Sequence, residues 1–187
     1  IKHLAENGVV ASIGHTGAKY KDVENAGSVG AKNVTHTYNA QSALHHREIG
    51  TVGSAMLCDE LNCEMIADTI HVSVPAMKLL VKNKPADKLT LITDALQCAG
   101  LPDGEYDPGG QPIFLKGIEC RLADGTIAGS VLKLNDAIKN VLNNTELPIH
   151  EVFRMATLNP ATVIHCDDRI GSLDTGKDAD IIICDEN

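Results

Sequence analysis

The stretch from Glu64 to Asp94, EMIADTIHVSVPAMKLLVKNKPADKLTLITD, holds one complete strand–helix–strand period. Glu64–Ile70 reads as a strand that ends at His71. Pro75 then opens a helix carrying Met77, Leu79, Leu80 and Val81. Proline suits a first helical turn, where its missing N–H has no intrahelical partner to lose. Leu89–Thr93 is the next strand, ending at Asp94. The pattern predicts parallel neighbours, because parallel strands need a crossover connection rather than a tight hairpin.

The same period repeats towards the N-terminus. Val9–Ile13 is an apolar-to-small run followed by Gly14-His15, and Tyr20–Ala26 has helical spacing at Tyr20, Val23 and Ala26, with Gly27 as its stop. Lys32–Thr37 is β-rich, with His36 near its end, and Thr51–Leu57 fits a short helix. None of the four strand runs alternates strictly, which predicts strands covered on both faces. Residues 1–8 read as the tail of a helix. Four strand–helix units fall between residue 9 and about residue 100. A closed barrel needs eight, over ~250 residues. The pattern therefore allows an open α/β sheet or half of a barrel.

After Leu101 the texture changes. Pro102, Gly104, Pro108, Gly109, Gly110 and Pro112 punctuate a turn-rich stretch. Ile113–Leu115, Ile118–Leu122 and Thr126–Ile127 read as short antiparallel strands turning at Ala123-Asp124-Gly125. Leu132–Leu142 and Pro148–Leu158 read as helices, Asn159-Pro160 as the cap of a third, and Asp180–Cys184 as a final apolar strand.

The chain has 187 residues, with 16 Lys+Arg against 25 Asp+Glu and a net charge of −9. That balance argues against nucleic acid or an anionic membrane as partner. No apolar run approaches ~18 residues, so no membrane-spanning helix is expected. Lys2, His3, Glu6 and Asn7 do not fit a signal peptide. The six cysteines contain no Cys-x-x-Cys pair and read as reduced thiols of a cytoplasmic protein.

His15, His36, His71 and Asp94 each close a strand run, and ligands of α/β sheets and barrels bind at the carboxyl ends of strands. Imidazole suits a borderline divalent cation such as zinc, and a neighbouring carboxylate can take a proton from activated water. The plain alternative is four unrelated core or capping residues. Two motifs fail on inspection. His150-Glu151-Val152-Phe153-Arg154 has Arg154 where a zinc protease needs its second histidine. Gly171–Lys177 resembles a phosphate loop, but Asp178 replaces the magnesium-binding hydroxyl. His45-His46-Arg47-Glu48 offers an anion contact through Arg47. Ala128-Gly129-Ser130 precedes a helix and can present backbone N–H groups or serve as a plain turn.

At these residues the sequence resembles the N-acetylglucosamine-6-phosphate deacetylases of the amidohydrolase superfamily. The matching stretches are Gly14-His15-Thr16, Thr35-His36-Thr37-Tyr38-Asn39-Ala40, His45–Glu48, Ala67–His71, Thr93-Asp94-Ala95, Ala99–Gly104, Ala128-Gly129-Ser130 and Leu158-Asn159-Pro160-Ala161. They run in family order across nearly the whole chain.

The resemblance implies an α/β fold that is the second half of a metal-dependent (β/α)8 barrel. Residues 1–165 would carry strands five to eight, with a turn-rich segment at about 103–130, and residues 166–187 a strand of a small β-sandwich domain. It implies His15 and His36 as metal ligands and Asp94 as the catalytic aspartate. Asn39, Ala40 and Arg47 would hold the sugar phosphate. Asp68, Thr69, Ile70 and His71, with Ile127, Ala128 and Gly129, would make further substrate contacts, His71 near the N-acetyl group. The cofactor would be a divalent metal, zinc foremost, with iron, cobalt or manganese as alternatives. The partner would be a small phosphosugar, and the full-length enzyme a cytoplasmic homodimer. A dihydroorotase-like amidohydrolase and an inactive fragment are the competing readings. Gln41, Ile49 and Thr69 depart from the methionine, proline and glycine usual in the family, which bears on substrate fit. The family's glutamate ligand falls in the first half of the barrel, so this stretch alone is expected to lack it and to be inactive.

Overall fold

In a computed structural model, residues 1–184 are described. Helix α1 (Lys2–Glu6) leads into strand β1 (Ala11–Ile13), and the chain continues α2 (Tyr20–Ser28), β2 (Ala31–Val34), α3 (Gly50–Leu57), β3 (Asn62–Ile66), α4 (Val74–Asn83) and β4 (Leu89–Ile92). The four strands form one parallel sheet in the order β1-β2-β3-β4. The fold is α/β, as the alternation predicts. Because the order never reverses, right-handed crossovers place α2, α3 and α4 on the same side of the sheet.

The register explains what each face does. Ile13, Val34, Cys63 and Leu89 stand side by side across the strands, with Met65 beside Leu91. These residues meet Val23 of α2, Val52 and Ala55 of α3, and Met77 and Leu80 of α4 in the main core. Met77 and Leu80 are fully buried, and burial of such a side chain is worth ~1.5–3 kcal/mol. The opposite face carries Ser12, Asn33, Asn62, Glu64 and Thr90 in register. Asn33, Asn62 and Thr90 are nonetheless buried, because they cover and bond one another. Asn33 shares hydrogen bonds with Ser12, Glu64 and Asn62, and Asn62 with Thr90.

The second face is covered at Asn33, Asn62 and Thr90, as the lack of strict alternation predicts, but by polar rather than apolar groups. Alternate positions are polar, and partners in the next strand satisfy them. The third strand also ends earlier than expected, at Ile66, so His71 lies five residues beyond it rather than closing it.

Three antiparallel strands, β5 (Gly104–Tyr106), β6 (Ile113–Lys116) and β7 (Glu119–Leu122), make a second sheet. It has its own small core of Cys98, Ile113, Leu115 and Cys120. A bridge between Ala95 and Ser130 ties the returning chain to the end of β4. Helices α5 (Leu134–Asn144), α6 (Ile149–Ala156) and α7 (Leu158–Val163) follow, and Val141, Val152 and Met155 complete the main core. Asn159 donates to the carbonyls of Ala86 and Leu89, both at 2.8 Å, pinning α7 to the start of β4.

Further expectations need correction. Gly27 does not stop α2. It sits buried within the helix, where an added Cβ would lie 2.6 Å from the Glu60 carboxylate, and the chain turns at Gly30 with φ +109°. The helix expected over 148–158 is α6 and ends at Ala156, and the expected third helix, α7, begins at Leu158, so Asn159 and Pro160 lie inside it rather than capping it. Asp180–Cys184 is not a strand. Ile182 and Ile183 are exposed, and an apolar run becomes a strand only when a neighbouring edge accepts it. Residues 185–187 of the expected β-sandwich segment lie outside the described residues. Among the described residues, no helix is long and apolar enough to cross a membrane.

Candidate active site

The carboxyl ends of the four parallel strands point the same way, and the polar side chains that follow them collect at that end. His15 and His36 each stand two residues past their strands. Their Nε2 atoms are 3.0 Å apart, with the rings edge to face and their centroids separated by 4.8 Å. Two nitrogens each ~2.0–2.1 Å from one tetrahedral zinc ion sit about 3.3 Å apart, slightly farther than this pair. The pair therefore fits two ligands of a shared cation. Among the described residues, no third His, Cys, Asp or Glu joins them as a ready ligand set.

The backbone around these residues is unusual. His15, His36, Tyr38, Ala40, Thr69 and Asp94 all have positive φ, at 44°, 28°, 83°, 49°, 67° and 49°. Such conformations are costly for residues with a Cβ and concentrate at functional sites. Glu64 on β3 supports one of them, since its Oε2 accepts the His36 backbone N–H at 3.2 Å while its Oε1 accepts the Asn33 side-chain amide at 2.6 Å. Glu64 escaped the sequence reading because nothing local marks it. Its partners are 28 and 31 residues away and meet it only through strand register.

Asp68 and His71 form a second pair. Asp68 Oδ1 accepts the N–H groups of Ile70 and His71, both at 2.8 Å, and Oδ2 lies 2.6 Å from His71 Nδ1. Both side chains are largely buried. Burial pushes the Asp68 carboxyl up, but the His71 ring and the two N–H groups outweigh it and hold the carboxyl below its ordinary value. Asp68 thus spends its oxygens on orienting His71. Thr69 is exposed beside it.

Asp94 is exposed two residues past β4. Its carbonyl accepts the Ser130 N–H at 2.9 Å, and Leu96 N–H donates to Ser130 O at 2.8 Å. Those bonds bring Ser130, with Gly129 before it, alongside the Asp94 loop, while Ala128 N–H donates to Cys120 O and Ile127 bridges to Arg121 of β7. Gly129 is required there, with φ +58° and the Leu96 side chain 2.8 Å from any added Cβ.

The loop after His36 is knitted to the loop after His15. Thr16 N–H donates to Ala40 O at 3.0 Å, and Ser42 N–H to Thr16 O at 3.1 Å. Among the described residues, the Asn39 side chain reaches only the carbonyls of His36 and Thr37, at 3.4 and 3.5 Å. Gln41 has a structural task, donating to Thr35 O at 2.8 Å and accepting from Tyr38 N–H at 3.2 Å. Arg47 is exposed, and its guanidinium bonds the His46 ring at 2.8 Å. Glu48 Oε1 accepts the N–H of Tyr20 at 2.9 Å and of Gly50 at 3.1 Å, bridging the first turns of α2 and α3. Those two backbone bonds hold its carboxyl below the usual range. The structure thus joins His15 to His36, Asp68 to His71, and Asp94 to the 127–130 loop. It leaves the Arg47 guanidinium apart from all three.

The sequence profile of the amidohydrolase family matches residues 2–187. The chain belongs to the amidohydrolase family. This amidohydrolase is 40% identical over 183 residues to the N-acetylglucosamine-6-phosphate deacetylase of Bacillus subtilis (strain 168), covering 98% of the chain and 46% of that protein. It is 37% identical over 185 residues to the N-acetylgalactosamine-6-phosphate deacetylase of Escherichia coli O157:H7, covering 99% and 49%. Its fold matches a mutant N-acetyl-D-glucosamine-6-phosphate deacetylase of Mycobacterium smegmatis, solved in complex with N-acetyl-D-glucosamine-6-phosphate. The TM-score is 0.90 at 30% identity, over 95% of this chain and 48% of that one. The chain spans about half the length of the curated relatives it matches.

Proposed function

We propose that this amidohydrolase hydrolyses N-acetylglucosamine 6-phosphate to acetate and glucosamine 6-phosphate, and that residues 1–165 form the second half of a (β/α)8 barrel. The observation that carries the reading is the His15–His36 pair, with Nε2 atoms 3.0 Å apart at the carboxyl ends of an unreversed parallel sheet. One face of that sheet is helix-covered and the other polar, which suits a barrel wall seen from its lumen.

His15 and His36 would hold a divalent cation, zinc foremost, with a further donor from outside the described residues. When bound, such a cation supplies Lewis acidity, making a water easier to deprotonate and the acetyl carbonyl easier to attack. Asp94, exposed on a loop pinned by Ser130, takes the proton of the attacking water and later delivers it to the leaving nitrogen. His71 gives Nδ1 to Asp68, which leaves its other ring nitrogen for the acetamide. Arg47 supplies positive charge for the phosphate, with Asn39 and Ala40 beside the sugar. Phosphate contacts remote from the scissile bond hold the amide where the attack occurs.

The test is acetate release from N-acetylglucosamine 6-phosphate, N-acetylgalactosamine 6-phosphate and unphosphorylated N-acetylglucosamine by the full-length protein. The expected order places the first highest and the unphosphorylated sugar far below. Equal turnover of the unphosphorylated sugar contradicts the substrate assignment. Preference for the galactosamine epimer would move the assignment to the second relative's substrate.

A further inference from the structure

We propose that Glu64 is a positioning residue for His36, setting the metal-binding imidazole through the main chain rather than through its ring. The inference rests on the reading of His15 and His36 as metal ligands.

A histidine that binds a metal through one ring nitrogen ordinarily gives the other to a carboxylate or carbonyl, which fixes the ring. His36 lacks that support. Its Nε2 faces His15, and its Nδ1 is buried with no hydrogen-bond partner among the described residues. The residue is only 8% exposed, so packing and the backbone must orient the ring. That backbone sits at φ +28°, a left-handed conformation that residues with a Cβ rarely adopt.

Glu64 holds the segment at two consecutive peptides. Its carboxylate Oε2 accepts the His36 N–H at 3.2 Å, and its own carbonyl accepts the Thr37 N–H at 2.9 Å. The carboxylate is itself fixed, because Oε1 takes the Asn33 amide at 2.6 Å and the same amide nitrogen reaches Ser12 Oγ at 2.9 Å. The chain of bonds crosses β3, β2 and β1 just beneath the two histidines. Among the described residues, no lysine or arginine pairs with Glu64. Its oxygens serve only this network.

The test uses the full-length protein, stripped of metal and titrated with zinc against a competing chelator. Cobalt-loaded samples report ligand geometry through their visible spectrum. Glu64→Ala removes the acceptor, and Glu64→Asp keeps the charge but falls a methylene short of the His36 N–H. Both are expected to weaken zinc affinity about 10–100-fold and to alter the cobalt spectrum. Glu64→Gln keeps one oxygen for the His36 N–H but turns its amide nitrogen towards the donating Asn33 amide, so its zinc affinity is expected to fall between wild type and Glu64→Ala. His15→Ala is the control for the underlying reading. If it loses zinc while Glu64→Asp, folded by circular dichroism, binds as wild type does, the positioning role is wrong. Should His15→Ala also keep its zinc, the metal reading itself has failed.

Discussion

Replacing Thr69 with glycine should stabilise the protein. Thr69 sits at φ +67° between Asp68 and Ile70, with its side chain exposed. For a residue with a Cβ the left-handed region costs about 1–2 kcal/mol, and a β-branched residue there is a genuine outlier. Glycine removes that cost but gains freedom in the unfolded chain, worth about 0.4–1 kcal/mol in the opposite direction. The balance favours glycine by roughly 0.5–1 kcal/mol, since no buried contact is lost. For a chain of this size that raises the melting midpoint by roughly 1–4 °C. Thermal and urea melts of wild type, Thr69→Gly and Thr69→Ala measure it, the alanine variant lying between the other two. The Asp68 carboxylate bonds the N–H groups of Ile70 and His71 whatever stands at position 69, so its support of His71 should be kept. A glycine variant that melts below wild type would refute the argument, because ordinary unfolded-state entropy would then outweigh the strain.

Three further outcomes follow from the structure. Lys84 is 2% exposed and its ammonium donates to the carbonyls of Ala55 at 2.9 Å and Cys58 at 2.6 Å; Lys84→Met keeps the stem but strips those bonds, and should cost about 1–3 kcal/mol in a urea melt. Arg47→Ala should raise KM for the phosphorylated sugar with little change in kcat, the signature of lost uniform binding, as read from initial rates. The Asp68 carboxyl is held below its ordinary value near 3.9, so its contribution to stability is full above about pH 4 and lost as pH falls through the lower folded value. Asp68→Asn should therefore flatten stability against pH below pH 4 in acid titration melts.

Much of the fold can be read locally, and the exceptions share a cause. Pro75, Met77 and Leu80 mark α4 because a helix announces its period within its own residues, and the four strands show as β-rich runs ending at polar groups. The polar face of the sheet does not show, since Asn33, Asn62 and Glu64 look like interruptions until register sets them side by side. Asp180–Cys184 has a strand's composition, but a strand exists only with an edge to pair. At the site, His15, His36 and Asp94 are visible because strand ends are where such sheets bind ligands. Asp68 is marked only by the family resemblance, and its bonds to His71 exist only once the loop after β3 has folded. The departures from family pattern acquire physical meaning only from the structure: Gln41 from its bonds to Thr35 and Tyr38, the other two from their dihedrals. Ile49 has φ −75°, which a proline could adopt, and Thr69 occupies a conformation made for glycine.

Asp94 is the proposed proton carrier of amide hydrolysis. The most direct measurement is acetate release from N-acetylglucosamine 6-phosphate by the full-length protein carrying Asp94→Asn, with metal content and melting midpoint determined on the same sample. The change is nearly isosteric and removes only the proton acceptor. Turnover should fall ~10²–10⁴-fold, with metal and stability retained. A variant that keeps more than about a tenth of wild-type kcat would contradict the mechanism, because no proton carrier central to both half-steps can be lost so lightly.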